Sequence, residues 1–205
     1  MKKIKIMLVS GSPRKGNSEA VLKVLKKYLE KLGTDVNLLL LREKNINRCN
    51  GCVEFCNKNL HCKNDNNDDM GEILKMMKET HGFVFATPTY FSMPPGLFKD
   101  FIDRSSILFT AGVDLSNKVA SVIAVGTDLD NVGVNAQNLM TYCHVHSMIV
   151  LDSLCLIGKS NLYNDYENIL KSNVNGDLKG KLQKLAARIY KSAKNLNNNA
   201  HICGN

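Results

Sequence analysis

Residues 6–25, IMLVSGSPRKGNSEAVLKVL, join a short apolar run to an amphipathic one through a turn of glycine, serine and cations. A buried strand leading through such a turn into a helix is half of a βαβ unit, and it restricts the chain to an α/β architecture. The turn holds Gly11, four residues and Gly16, the spacing of a Walker loop, but Asn17 stands where that loop has its lysine. Backbone N–H groups at the helix start, with the helix dipole behind them, still make an anion site. A triphosphate needs the lysine and a magnesium ion; hydroxyls and amides suffice to surround a terminal monophosphate. Ser10, Ser12, Asn17 and Ser18 supply side-chain donors and Arg14 a positive charge. The turn therefore predicts a site for a monophosphate ester, with an ordinary helix cap at Asn17 as the simpler alternative.

The rest of the chain repeats the pattern. DVNLLLL (35–41), KVASVIAVG (118–126) and part of 147–157 read as further strands, and GFVFATPTYF (82–91) as a strand running into a Thr-Pro-Thr-Tyr turn. Helices are expected over 17–32, near 69–80, and over 96–108, 133–144 and 178–194, with Gly33 closing the first. This alternation predicts a flavodoxin-like, doubly wound, five-stranded parallel sheet with helices on both faces. One domain is expected over residues 1–195, with a polar, cysteine-rich insertion at 42–69 after the second strand and a flexible tail at 196–205.

Ligands in such folds lie beyond the carboxyl ends of the strands. After the third strand, Pro88, Thr89, Tyr90, Phe91 and Ser92 combine hydroxyls for the polar edge of a flat heterocycle with two stacking faces. Pro88, Pro94 and Pro95 stiffen that loop. A partner surface or plain core is the alternative use of the aromatics. Gly126 and Thr127 follow the fourth strand and add donors at the same edge. A monophosphate site beside an aromatic loop on this sheet points to FMN.

Four of the seven cysteines, Cys49, Cys52, Cys56 and Cys62, fall in the spacing C-x2-C-x3-C-x5-C. The short apolar start predicts a buried strand rather than a secretion signal, hence a cytoplasmic, reducing location. There the cluster suits metal or redox use: a [4Fe–4S] cluster, a zinc ion, or unligated thiols. Asp65, Asp68 and Asp69 read as capping charges for the helix that follows. The net charge of +8 suits an acidic redox partner or an anionic cofactor; no nucleic-acid motif appears, and no apolar run is long enough to span a membrane.

GSPRKGNS and PTYFSMPPGLFKDFIDR resemble the hallmarks of the NADPH-dependent FMN reductase and multimeric flavodoxin family, and the likeness covers roughly residues 4–160. The resemblance implies that Ser10, Ser12, Arg14, Asn17 and Ser18 hold the FMN phosphate and ribityl chain. It implies that Pro88, Thr89, Tyr90, Phe91 and Ser92 edge the isoalloxazine, with Gly126 and Thr127 completing the pocket. It further implies a homodimer or homotetramer. The cysteine run resembles the iron–sulfur branch, whose pattern is C-x2-C-x2-C and a fourth cysteine later; Cys56 lies one residue further along. The expected function is an FMN-dependent oxidoreductase, with the flavin itself carrying the redox chemistry and no protein catalytic residue required. NAD(P)H would dock transiently, since no dinucleotide-binding G-x-G-x-x-G is present. The alternatives are a non-enzymatic FMN/[4Fe–4S] electron carrier fed by a ferredoxin, and a thiol redox sensor.

Overall fold

The computed structural model describes residues 3–158 and 168–200. Five strands, β1 (Lys5–Ser10), β2 (Asp35–Leu40), β3 (Gly82–Pro88), β4 (Val119–Gly126) and β5 (Ile149–Ile157), form one parallel sheet in the order β2-β1-β3-β4-β5. The chain winds outward from β1 in one direction and from β3 in the other, so the switch point lies between them. That is the flavodoxin order.

The helices are α1 (Asn17–Lys31), α2 (Val53–Asn59), α3 (Met70–Glu79), α4 (Gly96–Thr110), α5 (Leu129–Val145), the single turn α6 (Asn168–Lys171) and α7 (Leu178–Ala200). Alternation along each strand sorts them into two layers. Ile6 and Leu8 of β1 join Val84, Ala86 and Ile123 under α1 and α7. Met7 and Val9 point the other way, with Phe83, Phe85 and Val122, into a core closed by α3, α4 and α5. Both faces are covered, which is why the strands read as unbroken apolar runs rather than alternating ones. Among the described residues no helix is long and apolar enough to cross a membrane.

Helix α1 ends as its sequence predicts: Gly33 takes φ +82° and donates its N–H to Glu30 O at 2.9 Å, a turn that favours glycine. Two boundaries differ from expectation. Helix α5 starts at Leu129 rather than 133, because Asp128 Oδ1 accepts from Asn131 N at 3.0 Å and caps the earlier turn. Helix α7 continues to Ala200, so residues 196–200 of the expected flexible tail are helical. Leu196 packs against the α1–α7 core and gives that last turn its anchor; residues 201–205 lie outside the described residues.

Candidate functional site

The loop Gly11–Gly16 leaves β1 at the switch point. Gly11 N donates to Ala86 O of β3 at 2.9 Å, pinning the turn across the junction. A Cβ on Gly11 would lie 2.5 Å from Phe98 Cδ2, so only glycine lets the backbone pass this close to α4. Ser12 Oγ donates to Arg14 O at 2.7 Å, which shapes the turn. Helix α1 starts at Gly16 without a side-chain cap, so its first N–H groups are presented to the loop. Ser10 and Ser18 are buried beneath it, and Ser10 Oγ has no hydrogen-bond partner among the described residues. Asn17 Oδ1 accepts from Ile169 N at 3.2 Å and thereby holds α6 against the helix start.

The second loop follows β3. Thr89 N donates to Val125 O at 2.7 Å, and Tyr90 and Met93 exchange backbone hydrogen bonds at 2.9 and 3.1 Å. Between them Phe91 and Ser92 both take positive φ, +50° and +63°, which turns the chain back on itself. Tyr90 is partly exposed and Phe91 wholly so.

Three asparagines of α5 hold this loop from one side. Asn135 Nδ2 donates to Thr87 Oγ1, Pro88 O and Thr89 Oγ1 at 3.1, 3.2 and 3.0 Å. Asn138 Nδ2 donates to Ser92 O at 3.3 Å, and Asn131 Oδ1 accepts from Ser92 Oγ. Residues 131, 135 and 138 share one helical face. Sequence reading named none of them: Asn135 and Asn138 fall within the helix expected over 133–144 and pass there for ordinary polar positions, and Asn131 falls in the expected loop. Once the start at 129 is known, the i, i+4, i+7 spacing is the signal.

Gly126 completes the edge. A Cβ there would lie 2.4 Å from Val132 Cγ2 and 3.3 Å from Thr89 Cβ. Thr89, Tyr90, Phe91, Ser92, Gly126, Thr127, Asp128 and Asn131 together line a crevice of about 520 Å³. The Gly11 N–Ala86 O bond ties the loop after β1 to β3, and the loops after β3 and β4 share the crevice. Of the expected site residues Thr89, Tyr90, Phe91, Ser92, Gly126 and Thr127 line it, while Ser10, Ser12, Arg14, Asn17, Ser18 and Pro88 do not. An uncapped helix start, a buried unpartnered hydroxyl and a crevice walled by an aromatic loop fit a flat, monophosphorylated ligand such as FMN.

The cysteine segment lies on the opposite layer. Cys52 is the residue before α2, without a side-chain cap hydrogen bond, and Cys56 lies one turn along, with Cys56 N donating to Cys52 O at 3.1 Å. The residue by which this spacing departs from C-x2-C is the one that puts both thiols on one helical face. Cys49 is exposed and Cys62 buried. Burial first, then the neighbouring Cys52, Cys62 and Cys49, push the Cys56 thiol up to about 11. Four thiols are donors of the kind an iron–sulfur cluster takes. Among the described residues no three His, Cys, Asp or Glu side chains converge at metal-holding distance.

The aspartates near this segment do more than cap a helix. Asp69, the residue before α3, makes no side-chain cap hydrogen bond; its Oδ2 accepts from Asn45 N at 2.7 Å. Asp68 accepts from Asn47 N at 2.8 Å and Met70 N at 2.9 Å. Arg104 of α4, fully buried, closes the neck. Its Nη1 donates to Asn47 O at 2.9 Å and Asp68 Oδ2 at 2.5 Å, and its Nη2 to Asp65 Oδ1 at 3.2 Å. Both ends of the cysteine segment are thereby fastened to the helix that follows the aromatic loop.

A family model described as NADPH-dependent FMN reductase matches residues 4–161. An iron–sulfur flavoprotein of Archaeoglobus fulgidus is 31% identical over 147 residues, covering 71% of this chain and 71% of that protein. One from Methanocaldococcus jannaschii is 33% identical over 150 residues, covering 72% and 76%. A flavodoxin from the domain Archaea shares the fold, with a TM-score of 0.59 and 12% identity over 93% of this chain and 99% of that one. Switch-point geometry and sequence likeness agree: the chain belongs to the NADPH-dependent FMN reductase family.

Proposed function

We propose that the chain is an FMN-dependent oxidoreductase that seats the flavin at the β1/β3 switch point. The observation that carries this reading is the β1/β3 junction, where the loop after β1, with its uncapped helix start, is tied to β3, whose following loop walls the aromatic crevice. Ser10, Ser12, Arg14, Asn17, Ser18 and the first N–H groups of α1 hold the phosphate and ribityl chain. Pro88, Thr89, Tyr90, Phe91 and Ser92 lie along the ring edge, with Gly126 and Thr127 closing the pocket. When bound, the flavin supplies hydride and single-electron transfer. The protein's part is to orient the ring, to exclude water on the Thr87–Thr89 side through the Asn135 hydrogen bonds, and to leave Tyr90 and Phe91 facing an incoming nicotinamide.

We further propose that Cys49, Cys52, Cys56 and Cys62 hold a [4Fe–4S] cluster in a cytoplasmic protein. The donor set and the iron–sulfur flavoproteins named above support this reading. A ferredoxin is then the natural one-electron partner. Phe91, Met93, Leu129 and Val134, all exposed near the crevice mouth, support pairing of two subunits across it.

Anaerobic purification with absorbance spectra, iron and acid-labile sulfide assays tests the whole reading. Flavin bands that bleach with NAD(P)H, with about four irons per chain, are expected. Flavin without iron leaves the reductase and removes the cluster. Colourless protein that takes up no added FMN removes both.

A further inference from the structure

The positive charge of this chain is not spread over its surface. Helices α1 and α7 carry ten of the 27 lysines and arginines but two of the 19 carboxylates, so their excess of eight equals the +8 of the entire chain. The remaining sequence is balanced. Helix α7 contains no carboxylate over its 23 residues. Of the two on α1, Glu19 is buried and engaged by Lys23 and Arg42, and Glu30 pairs with Lys26 at 3.7 Å.

The fold puts these two helices side by side. They pack together over one face of the sheet, burying Leu22, Leu25, Leu29, Leu182, Leu185 and Ile189 and turning their lysines outward. Lys27, Lys31, Lys179, Lys184 and Lys191 are exposed and have no ion-pair partner among the described residues. Both helices begin at the carboxyl edge of the sheet, where the candidate flavin site lies. Helix α1 leaves the Gly11–Gly16 loop directly, and α7 follows Asn175, whose side chain brackets the end of β5 through Ile157 N and O at 2.8 and 2.9 Å. The face is a cationic plate with its upper rim beside that site.

We infer that the α1–α7 face is the docking surface for an acidic electron-carrier protein. The inference rests on the flavin reading above, with electrons exchanged directly with the flavin rather than through the cysteine segment of the other layer, and adds where the partner binds. Its surface chemistry selects this class of occupant. Nine of the ten cations are lysines, and Arg188 is already paired with Asp152 at 2.7 Å, so the forked guanidinium contacts of base and phosphate recognition are missing. No large exposed apolar side chain lies on α1 or α7 themselves, and Leu32 and Val174, just outside them, are isolated, so the face lacks the anchor of a membrane-surface helix. Exposed lysines with no large exposed apolar side chain among them give a fast, weak, salt-sensitive encounter, as transient redox pairs require.

The test is titration of the holoprotein with an oxidised ferredoxin of strongly negative net charge, at low salt and at about 0.15 M ionic strength. One variant is K27E/K184E/K191E. Its control, K75E/K78E/K99E, makes the same change in net charge on α3 and α4, which belong to the opposite layer. The expected result is a Kd weakened by about tenfold or more for the α1–α7 variant at low salt, with most of the salt dependence gone. The control should move Kd by about threefold or less. Equal losses in the two variants, or no loss in the first, overturn the docking face. So does tighter binding of duplex DNA or anionic vesicles than of ferredoxin by the wild type. Because Kd is read without turnover, and bound flavin is measured by absorbance in the same samples, failure of the flavin reading is seen separately.

Discussion

Replacing Arg104 with methionine probes the neck of the cysteine segment. The Arg104 and Asp68 side chains are both fully buried and 2.5 Å apart, and removing one member of such a pair leaves an uncompensated charge at a cost of about 3–5 kcal/mol. Asp68 keeps the N–H groups of Asn47 and Met70, at 2.8 and 2.9 Å, so the low end, about 3 kcal/mol, is expected. For a domain of this size that lowers Tm by roughly 6–12 °C. Adding Asp68→Asn, which removes the stranded charge but keeps an acceptor for one N–H, should restore more than half of the loss.

The pH dependence fixes the cause. Burial works against ionisation of Asp68, but the Arg104 hydrogen bond and the N–H groups of Asn47 and Met70 outweigh it and hold the carboxyl below its usual range. A carboxyl lowered on folding stabilises the native state above its unfolded pKa, about 3.9, and that contribution is lost as pH falls through the folded value. Without Arg104 burial outweighs the remaining N–H bonds, and protonation relieves the stranded charge. The stability deficit of Arg104→Met, read from urea midpoints, should be largest near neutrality and shrink as pH falls through the variant's raised Asp68 value and on through the lowered wild-type one, on either side of about 3.9. A deficit that does not change with pH, or a double variant costing the sum of the two singles, would refute this reasoning.

Other perturbations bear on the crevice and the thiols. Ser12→Asp puts negative charge in the phosphate loop and should weaken FMN binding by about 100-fold in a fluorescence titration; an unchanged Kd removes the loop from the site. Asn135→Ala strips Thr87, Pro88 and Thr89 of their shared donor, costing about 1–3 kcal/mol in urea unfolding and loosening flavin binding with it. Gly11→Ala forces a Cβ to 2.5 Å from Phe98 Cδ2 and should destabilise by about 1–3 kcal/mol, while full stability would show that α4 can retreat. Cys52→Ala should abolish iron uptake while leaving flavin content intact; equal iron in the variant excludes Cys52 as a ligand.

The sheet was readable in the sequence because burial on both faces demands apolar runs, and runs such as IKIMLV and VASVIAV have few other uses. The loops at its carboxyl edge were readable for a related reason: glycine, proline and hydroxyl residues directly after a strand leave few conformations and a limited chemistry. Arg104 was not readable. In GLFKDFIDRSSIL it passes for an ordinary charged residue on an amphipathic helix. Its burial follows from partners 36 and 39 residues earlier, at Asp68 and Asp65, which local periodicity cannot connect. Of the three aspartates read as capping charges, Asp68 does accept from the first N–H of α3, but its tie to Arg104, like that of Asp65, was hidden because a capping aspartate and a neck aspartate have the same neighbours in sequence.

The same reasoning explains why the charge of the chain was visible as a number and not as a surface. Lysines on α1 and α7 fall at the outward positions of two amphipathic patterns more than 140 residues apart, and each alone is an ordinary solvated helix face. Only the sheet order brings them together. Helices α1 and α7 cover the same face, while α3, α4 and α5, whose charges balance more evenly, cover the other. Topology thus turns a diffuse +8 into a directed field whose rim meets the crevice, and a field of that form acts on the rate and orientation of encounters rather than on the stability of the fold. Charge reversals on α1 and α7 should therefore change partner association strongly while leaving the urea midpoint nearly where it was.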